Sequence, residues 1–209
     1  MRKLLKIKGY YFITGGPLSR RGDAADVRDA VKAGARVIQY RDKNASSERM
    51  YGTAKKLKRL CKNALFIVND RIDIAMAVGA DGVHLGQQDI PLAVARRLLG
   101  EKKVIGVSVR TAEQARRAVA GKADYLAVGP VFPTSTKKDA GSPLGVDLIR
   151  RLKARFDIPV VAIGGITLDN APDVIAAGAD ALCAISPVVT GRAVSAEVKK
   201  FQALFGVKR

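Results

Sequence analysis

The chain contains no tryptophan, one histidine and two cysteines, and aromatic residues make up only 5% of its 209 residues. Such a composition supplies few rings on which nucleic acid bases could stack. Acid–base catalysis by histidine would depend on His84 alone, and this residue lies inside a predicted strand, which favours a core position. Cys61 and Cys183 are far apart and have no metal-ligand spacing, so we expect buried, reduced thiols.

Long apolar runs are also absent from the chain. No run is long enough to cross a membrane, and the first residues contain no continuous apolar segment of the secretory type. We therefore predict a cytoplasmic protein without membrane association, and the sequence leaves a homo-oligomer open. Hydrophobic residues make up 48% of the chain, which predicts one domain over residues 1–209 with a substantial core.

Acidic residues are scarce: 19 Asp and Glu stand against 37 Lys and Arg, a net charge of +18. This charge attracts anions, and a basic nucleic-acid-binding protein is one interpretation. The basic pairs are spread along the chain, however, and most fall on the polar faces of predicted helices. They are Lys55-Lys56, Arg96-Arg97, Lys102-Lys103, Arg116-Arg117 and Arg150-Arg151. We therefore favour a solvated basic exterior, small anionic substrates and no nucleic acid partner.

The chain does contain a repeated pattern, in which a helix ends at a glycine and an apolar strand follows, at 34–38, 79–83, 121–125 and 178–182. Glycine suits the left-handed residue after a helix. Strands are predicted at 10–14, 36–40, 64–68, 82–85, 103–107, 124–128, 159–163 and 181–185. Helices are predicted at 23–33, 47–62, 71–78, 91–99, 111–120, 145–155, 169–177 and 192–205.

Several predicted strands are continuously apolar, which is typical of parallel strands covered on both faces. Eight such units predict an α/β protein with a single (β/α)₈ TIM barrel. A doubly wound open sheet is the alternative, but Gly15-Gly16 is a poor version of its phosphate-binding fingerprint.

Polar residues follow several strands, at the end of a barrel where the chemistry lies. After the second strand, Gln39, Arg41 and Lys43 alternate onto one side, and they fit either a diphosphate site or a salt-bridged strand exit. Asp70 and Asp89 follow the third and fourth strands. Each acid alone fits a helix cap, whereas the two together, beside cations, fit a Mg²⁺ site.

The later strand ends favour phosphate as well. The segment 129–141 combines hydroxyls and lysines, and Ser108 adds a donor after the fifth strand. Gly164 and Gly165 follow the seventh strand and let backbone amides approach a ligand. We predict two anion sites at one mouth: a cationic, metal-assisted site near strands two to six, and a backbone site near strands seven and eight, where Ser186 lies.

The strand ends together resemble those of the thiamine-phosphate synthase (thiamine-phosphate pyrophosphorylase) family. The matching segments occur in family order and cover nearly the whole chain: QYRDK (39–43), NDRID (69–73), ADGVHLGQQD (80–89), GVS (106–108), GPVFPTSTK (129–137) and AIGGI (162–166). The resemblance implies a transferase of thiamine biosynthesis. It condenses 4-amino-2-methyl-5-(diphosphooxymethyl)pyrimidine with thiazole phosphate to give thiamine phosphate and diphosphate. The implied substitution is dissociative, with diphosphate leaving before the thiazole nitrogen attacks.

The same resemblance implies roles for individual residues. Asp70 and Asp89 would bind the cofactor Mg²⁺. The pyrimidine diphosphate would be bound by Gln39, Arg41, Lys43, Asn69, Ser108 and Lys137, of which Arg41, Lys43, Ser108 and Lys137 are implied to be catalytic. Thr134 and Thr136 would contact the thiazole, and Gly165, Ile185 and Ser186 would hold its phosphate through backbone groups.

Three positions depart from the family's habit: Gly15 where Asp is common, Arg110 where His is frequent, and Pro187 where a small residue is usual. The nearest alternative is a thiazole tautomerase-like barrel, which resembles this chain near the last two strands. Such proteins typically lack the full metal and diphosphate set. Because both acids and all three cations of that set are present here, the synthase is favoured.

Overall fold

Strands and helices alternate along the whole chain in a computed structural model, which describes residues 7–136 and 141–206. The strands are β1 (Gly9–Ile13), β2 (Val37–Tyr40), β3 (Leu65–Asn69), β4 (Gly82–Leu85), β5 (Val104–Val109), β6 (Tyr125–Val128), β7 (Val160–Ile163) and β8 (Ala181–Cys183). The helices are α1 (Asp23–Lys32), α2 (Ser47–Leu60), α3 (Ile72–Ala77), α4 (Leu92–Leu99), α5 (Ala112–Ala120), α6 (Asp147–Arg155), α7 (Ala171–Ala176), α8 (Ile185–Val189) and α9 (Val194–Ala203).

The eight strands form a closed, parallel barrel in sequence order. Closure is made by β1 and β8, in which Gly9 lies beside Ala181 and Tyr10 beside Leu182. An open sheet would leave these two strands at opposite edges, so the TIM barrel is confirmed. Because the strands are parallel, all their carboxyl ends open on one face.

Two apolar layers explain the continuously apolar strands. Along β1, Tyr10 and Phe12 pack outward against the helices, whereas Tyr11 and Ile13 point into the barrel. The interior layer also receives Ile67, Tyr125 and Val161 from other strands. Both faces of the sheet are therefore buried, as parallel sheets require.

The glycines after the helices behave as predicted at three of the four junctions. Gly34, Gly79 and Gly178 adopt positive φ angles of 92°, 66° and 99°. At the fourth junction the prediction is wrong. Gly121 has a φ of −81°, and Lys122 takes the left-handed conformation instead, with a φ of 63°.

Aspartates before three strands form a clamp at the amino-terminal face of the barrel. Asp81, Asp124 and Asp180 each accept a backbone N–H from the preceding strand, at 2.7 to 2.9 Å. Each aspartate also forms a salt bridge with a cation from an earlier helix. The three cations are Lys58 of α2, Arg96 of α4 and Lys153 of α6, in the same order.

The remaining pair of strands, β1 and β2, is fastened in a different way. Arg36 occupies the position before β2, and Gln202 of α9 accepts the Tyr10 N–H at 3.0 Å and donates to the Gly34 carbonyl at 2.7 Å. The last helix therefore fastens β1 to the turn that precedes β2.

Two short elements were not predicted. The strand expected over 181–185 ends at Cys183, and Ile185 begins the five-residue helix α8. A single 3₁₀ turn, Gly16–Leu18, follows β1. Over the described ranges, no helix has the length and apolar character needed to span a bilayer.

Candidate active site

A cavity of about 740 Å³ opens at the carboxyl ends of the strands. Its walls bring together residues that are up to 176 positions apart in the chain, from Tyr11 to Pro187. Twelve of the thirteen predicted site residues line it: Gln39, Arg41, Lys43, Asn69, Asp70, Asp89, Ser108, Thr134, Thr136, Gly165, Ile185 and Ser186. The thirteenth, Lys137, lies outside the described residues.

Asp70 and Asp89 form an acidic corner of this cavity. Burial raises the pKa of Asp70 to about 6, and the neighbouring Asp89 carboxylate adds to the rise, against the lowering effect of Lys43 and Arg41. The Lys43 ammonium lies 3.6 Å from an Asp70 carboxylate oxygen. Asp70 also has a φ of 60°, a conformation that residues other than glycine rarely adopt outside functional sites and turns.

Neither acid caps a helix, so that interpretation is wrong. Helix α3 begins after Arg71 and α4 after Pro91, and neither start has a side-chain cap. Asp89 instead accepts the backbone N–H of Gly86 at 2.6 Å, which holds the turn after β4. The Asp89 carboxylate also lies within hydrogen-bonding reach of the Asp70 carboxyl group, so the two acids face each other.

The acidic corner fits a magnesium ion. Two carboxylates in a half-buried place repel each other, as the raised pKa of Asp70 indicates, and a divalent cation would relieve that repulsion. Within residues 7–136 and 141–206, no group of three or more His, Cys, Asp and Glu side chains could hold a metal. Mg²⁺ suits such a sparse site because it takes its remaining ligands from substrate phosphate and water.

The cationic wall is held by the backbone after β2. The Arg41 N–H donates to the Thr14 hydroxyl at 3.0 Å, and that hydroxyl donates back to the Arg41 carbonyl at 3.3 Å. This reciprocal pair fixes the chain where β2 ends and turns the side chains of Arg41 and Lys43 to the cavity. The salt-bridge interpretation is correct for Lys43, which pairs with Asp70.

The floor of the cavity is a polar network inside the barrel. The Gln39 amide donates to the Tyr11 hydroxyl at 2.8 Å, and the hydroxyls of Tyr11 and Tyr125 are 2.7 Å apart. His84 then joins Tyr125 through Nδ1 and Ser108 through Nε2, each at 2.9 Å.

This network qualifies two interpretations from the sequence. His84 is buried in a strand, as expected, yet it faces the cavity. Gln39 is 2% exposed and bonded to Tyr11, so it contributes to the floor of the cavity. Tyr11 and Tyr125 were missed altogether. Their signal in the sequence is a polar group at the inward position of an otherwise apolar strand.

The loop after β6 carries the predicted hydroxyls across the mouth. Thr134 accepts the N–H of Thr136 at 3.2 Å, and the Thr136 and Ser186 hydroxyls are 3.2 Å apart. The loops after β6 and β8 therefore meet at the place predicted for the thiazole end. Arg110 bridges the flanks of this loop, since it donates to the Gly129 carbonyl at 3.3 Å and to the Ser142 carbonyl at 2.9 Å.

The glycine pair after β7 is required by close packing. Gly164 and Gly165 have φ angles of 99° and 65°. A Cβ on Gly164 would overlap Pro130, and one on Gly165 would overlap the backbone of Phe132 and Pro133. The loops after β6 and β7 are thus in direct contact, which places their backbone groups at the cavity.

Known proteins share this architecture and sequence. The family model described as thiamine monophosphate synthase matches residues 10–188. The chain belongs to the thiamine monophosphate synthase family. It is 51% identical over 199 residues to a thiamine-phosphate synthase from Methanosarcina barkeri, covering 95% of this chain and 90% of that one. It is 47% identical over 200 residues to a thiamine-phosphate synthase from Chloroflexus aurantiacus, with coverages of 94% and 92%.

A solved structure agrees with these relatives. Thiamine phosphate pyrophosphorylase from Pyrococcus furiosus superimposes with a TM-score of 0.87 at 40% identity, over 97% of each chain. The likeness extends over the whole barrel, so the resemblance drawn from the strand ends is confirmed.

All three departures from the thiamine monophosphate synthase pattern now have local explanations. A Cβ on Gly15 would lie 2.7 Å from Val189, so an aspartate does not fit unless α8 shifts. Arg110 has a structural role of its own, because its guanidinium joins the two flanks of the loop after β6. Pro187 lies within α8, and its missing N–H falls in the first turn, where no partner within the helix is available.

Proposed function

We propose that this chain is a Mg²⁺-dependent thiamine-phosphate synthase. It would condense 4-amino-2-methyl-5-(diphosphooxymethyl)pyrimidine with thiazole phosphate, giving thiamine phosphate and diphosphate. The observation that carries the proposal is the pairing of two cations, Arg41 and Lys43, with two carboxylates, Asp70 and Asp89, on one wall of the cavity. A metal diphosphate needs both kinds of group, whereas a single phosphate needs neither carboxylate.

The proposed substitution breaks the bond between the pyrimidine methylene carbon and the diphosphate oxygen. The electron pair of that bond leaves with diphosphate, and the thiazole nitrogen lone pair forms the new carbon–nitrogen bond. No proton has to be removed from the reacting atoms. The enzyme therefore has to stabilise a leaving anion rather than supply a base. The only histidine agrees with this, because both its ring nitrogens are engaged by Tyr125 and Ser108.

Magnesium bound by Asp70 and Asp89 would neutralise charge on the departing diphosphate. Arg41 and Lys43 would hold its oxygens from the second strand, with Asn69 and Ser108 as neighbouring hydrogen-bonding groups and Lys137 as the third cation. This arrangement is supported by the shared cavity of all the described members.

The second substrate would lie toward β7 and β8. Thr134 and Thr136 would contact the thiazole, and backbone groups at Gly165, Ile185 and Ser186 would hold its phosphate. The contact between the Thr136 and Ser186 hydroxyls supports this placement, because it joins the proposed ring contacts to the proposed phosphate site. The nucleophile would then face the diphosphate wall across the cavity.

We also propose a cytoplasmic location. Cys61 and Cys183 are buried free thiols, and reduced thiols are typical of the cytoplasm.

The test is product formation by the purified protein. With both substrates and Mg²⁺ at saturation, thiamine phosphate and diphosphate should accumulate in equal amounts. With thiazole phosphate alone, the substrate should remain unchanged. Isomerisation of the thiazole without thiamine phosphate formation would contradict the synthase and favour the tautomerase-like barrel. The Asp70→Asn variant should fold, because asparagine keeps the shape of the aspartate side chain. It should make little product, because it loses the charge that would bind Mg²⁺.

A further inference from the structure

The polar floor of the cavity contains a row of five hydrogen-bonded side chains, in which Gln39 also bonds Tyr125. The row runs from Gln39 through Tyr11, Tyr125 and His84 to Ser108, and each link measures 2.7 to 2.9 Å. Gln39, His84 and both tyrosines are each no more than 7% exposed. The row ends at a hydroxyl that faces the cavity.

The first link gives the row a direction. The Gln39 amide nitrogen can only donate, so the Tyr11 oxygen accepts from it. Tyr11 has one hydroxyl hydrogen, and among the described residues the Tyr125 hydroxyl is its available acceptor. A buried hydroxyl hydrogen without an acceptor is costly, so Tyr11 donates to Tyr125.

The remaining links follow from the first. Because Tyr125 accepts from Tyr11, its own hydrogen goes to Nδ1 of His84. His84 then carries its proton on Nε2 and donates to the Ser108 oxygen. The Ser108 hydrogen is left over for a group in the cavity. If the row ran the opposite way, Ser108 would donate to His84 and would have no hydrogen for a ligand.

The surroundings hold the row in place. A Cβ on Gly106 would overlap the ring of Tyr125, so β5 carries a glycine where this ring crosses it. The rings of His84 and Tyr125 stack with centroids 5.5 Å apart. Burial raises the pKa of both tyrosines well above the ordinary value, which keeps both hydroxyls protonated.

We propose that Gln39, Tyr11 and Tyr125 lock His84 as its Nε2–H tautomer, and that His84 thereby directs the Ser108 hydrogen into the cavity as a donor to the substrate. Gln39, Tyr11, Tyr125 and His84 do not touch the reacting atoms, so they are positioning residues. The benefit for turnover rests on the proposed function, in which the acceptor is an oxygen of the departing diphosphate. A preset donor costs no reorganisation when charge develops there.

The chain offers a direct test because it has a single histidine. In protein labelled with ¹⁵N-histidine, one ring gives the whole signal, and its couplings to the carbon-bound ring protons tell Nε2 from Nδ1. We expect a protonated Nε2 and an unprotonated Nδ1 in the ligand-free protein. A ring protonated on Nδ1, or exchanging rapidly between the two forms, overturns the proposal. The readout needs no turnover, so it is independent of the proposed function.

A pair of variants tests the direction. Gln39→Glu keeps the side-chain length, but its carboxylate only accepts, so the row should reverse and His84 should appear as the Nδ1–H tautomer. Turnover should fall at least about 10-fold, with the KM for thiazole phosphate little changed. Tyr125→Phe removes the middle link and keeps Gln39, and it should release the ring into a mixture of tautomers. An unchanged Nε2–H signal in Tyr125→Phe contradicts the proposal, even if Gln39→Glu does not fold.

Discussion

Neutralising Asp89 should make the metal-free protein more stable and much less active. In Asp89→Asn, the amide oxygen can still accept the Gly86 N–H at 2.6 Å, so the turn after β4 is kept. What is lost is the negative charge beside Asp70, which helps to raise the pKa of Asp70 to about 6. A catalytic metal site therefore predicts opposite effects on stability and activity.

The size of the stability effect follows from that pKa. A rise from 3.8 to about 6 means that ionising Asp70 at neutral pH costs the folded protein ~3 kcal/mol. Burial is the largest cause of this cost and Asp89 adds only part of it, so removal of the neighbouring charge should recover about 1 kcal/mol or less. Asp89→Asn should thus gain up to ~1 kcal/mol at pH 7.5 in EDTA. Asp89→Ala also loses the hydrogen bond to Gly86, at a cost of ~1 kcal/mol, and should show no net gain.

The assay is urea unfolding in EDTA and again in excess Mg²⁺, with turnover measured on the same samples. Wild type should be stabilised by Mg²⁺ and Asp89→Asn hardly at all, because ligand binding adds stability only where the site exists. Turnover of the variant should fall about 100-fold or more, equivalent to ~3 kcal/mol of lost charge stabilisation. Asp73→Asn, at an exposed acid on α3 that pairs with Arg71, serves as the control; it should cost at most about 1 kcal/mol and should change neither turnover nor the stabilisation by Mg²⁺. Retained activity together with lower stability in EDTA would refute the reasoning.

Three further predictions concern other parts of the barrel. Asp124→Ala should cost about 3–5 kcal/mol in urea unfolding, while activity per folded molecule stays the same, because the Arg96 guanidinium at 10% exposure loses its carboxylate partner and keeps only backbone carbonyls. Burial raises the pKa of Asp26, so its ionisation destabilises the fold as pH rises through that pKa. Asp26→Asn should therefore have the higher Tm at pH 8, and the lead should vanish as pH falls to about 4; a constant lead would contradict the pKa argument. Arg110→Ala should raise the KM for both substrates because the flanks of the loop after β6 lose their bridge, and Arg110→Lys should restore little, since one ammonium does not reach two carbonyls in the same way.

The barrel was predictable because its signals are local. Each of the eight strands lies within two residues of its predicted position, since a buried parallel strand is a short apolar run bounded by glycine or a polar turn. The predicted start of α5 at residue 111 was also correct, since Thr111 caps this helix and its hydroxyl accepts the Gln114 N–H at 3.1 Å. Helix α8 was missed because it is five residues long and continues the apolar character of β8.

The site was predictable as a set of strand ends, but not in its internal contacts. Asp89 preceded a proline and a helix, and the sequence could not show that its carboxylate bonds backward to Gly86. His84 looked like a core residue because it is one, and its contact with Ser108 depends on the register of β4 and β5. Likewise Lys122 takes the strained conformation next to Gly121, although the pattern favours the glycine. These contacts form only once the chain has folded, so the spacing of residues along the sequence does not predict them.

The central claim is that this cavity expels diphosphate with the help of magnesium while it joins the two rings. Simultaneous measurement of thiamine phosphate and diphosphate during a Mg²⁺ titration tests it most directly. We predict background levels of both products in EDTA, followed by a parallel rise in equal amounts as Mg²⁺ is added. The claim would be contradicted if the rate in EDTA equalled the rate in Mg²⁺. It would also be contradicted if diphosphate were released without thiamine phosphate when both substrates saturate the enzyme.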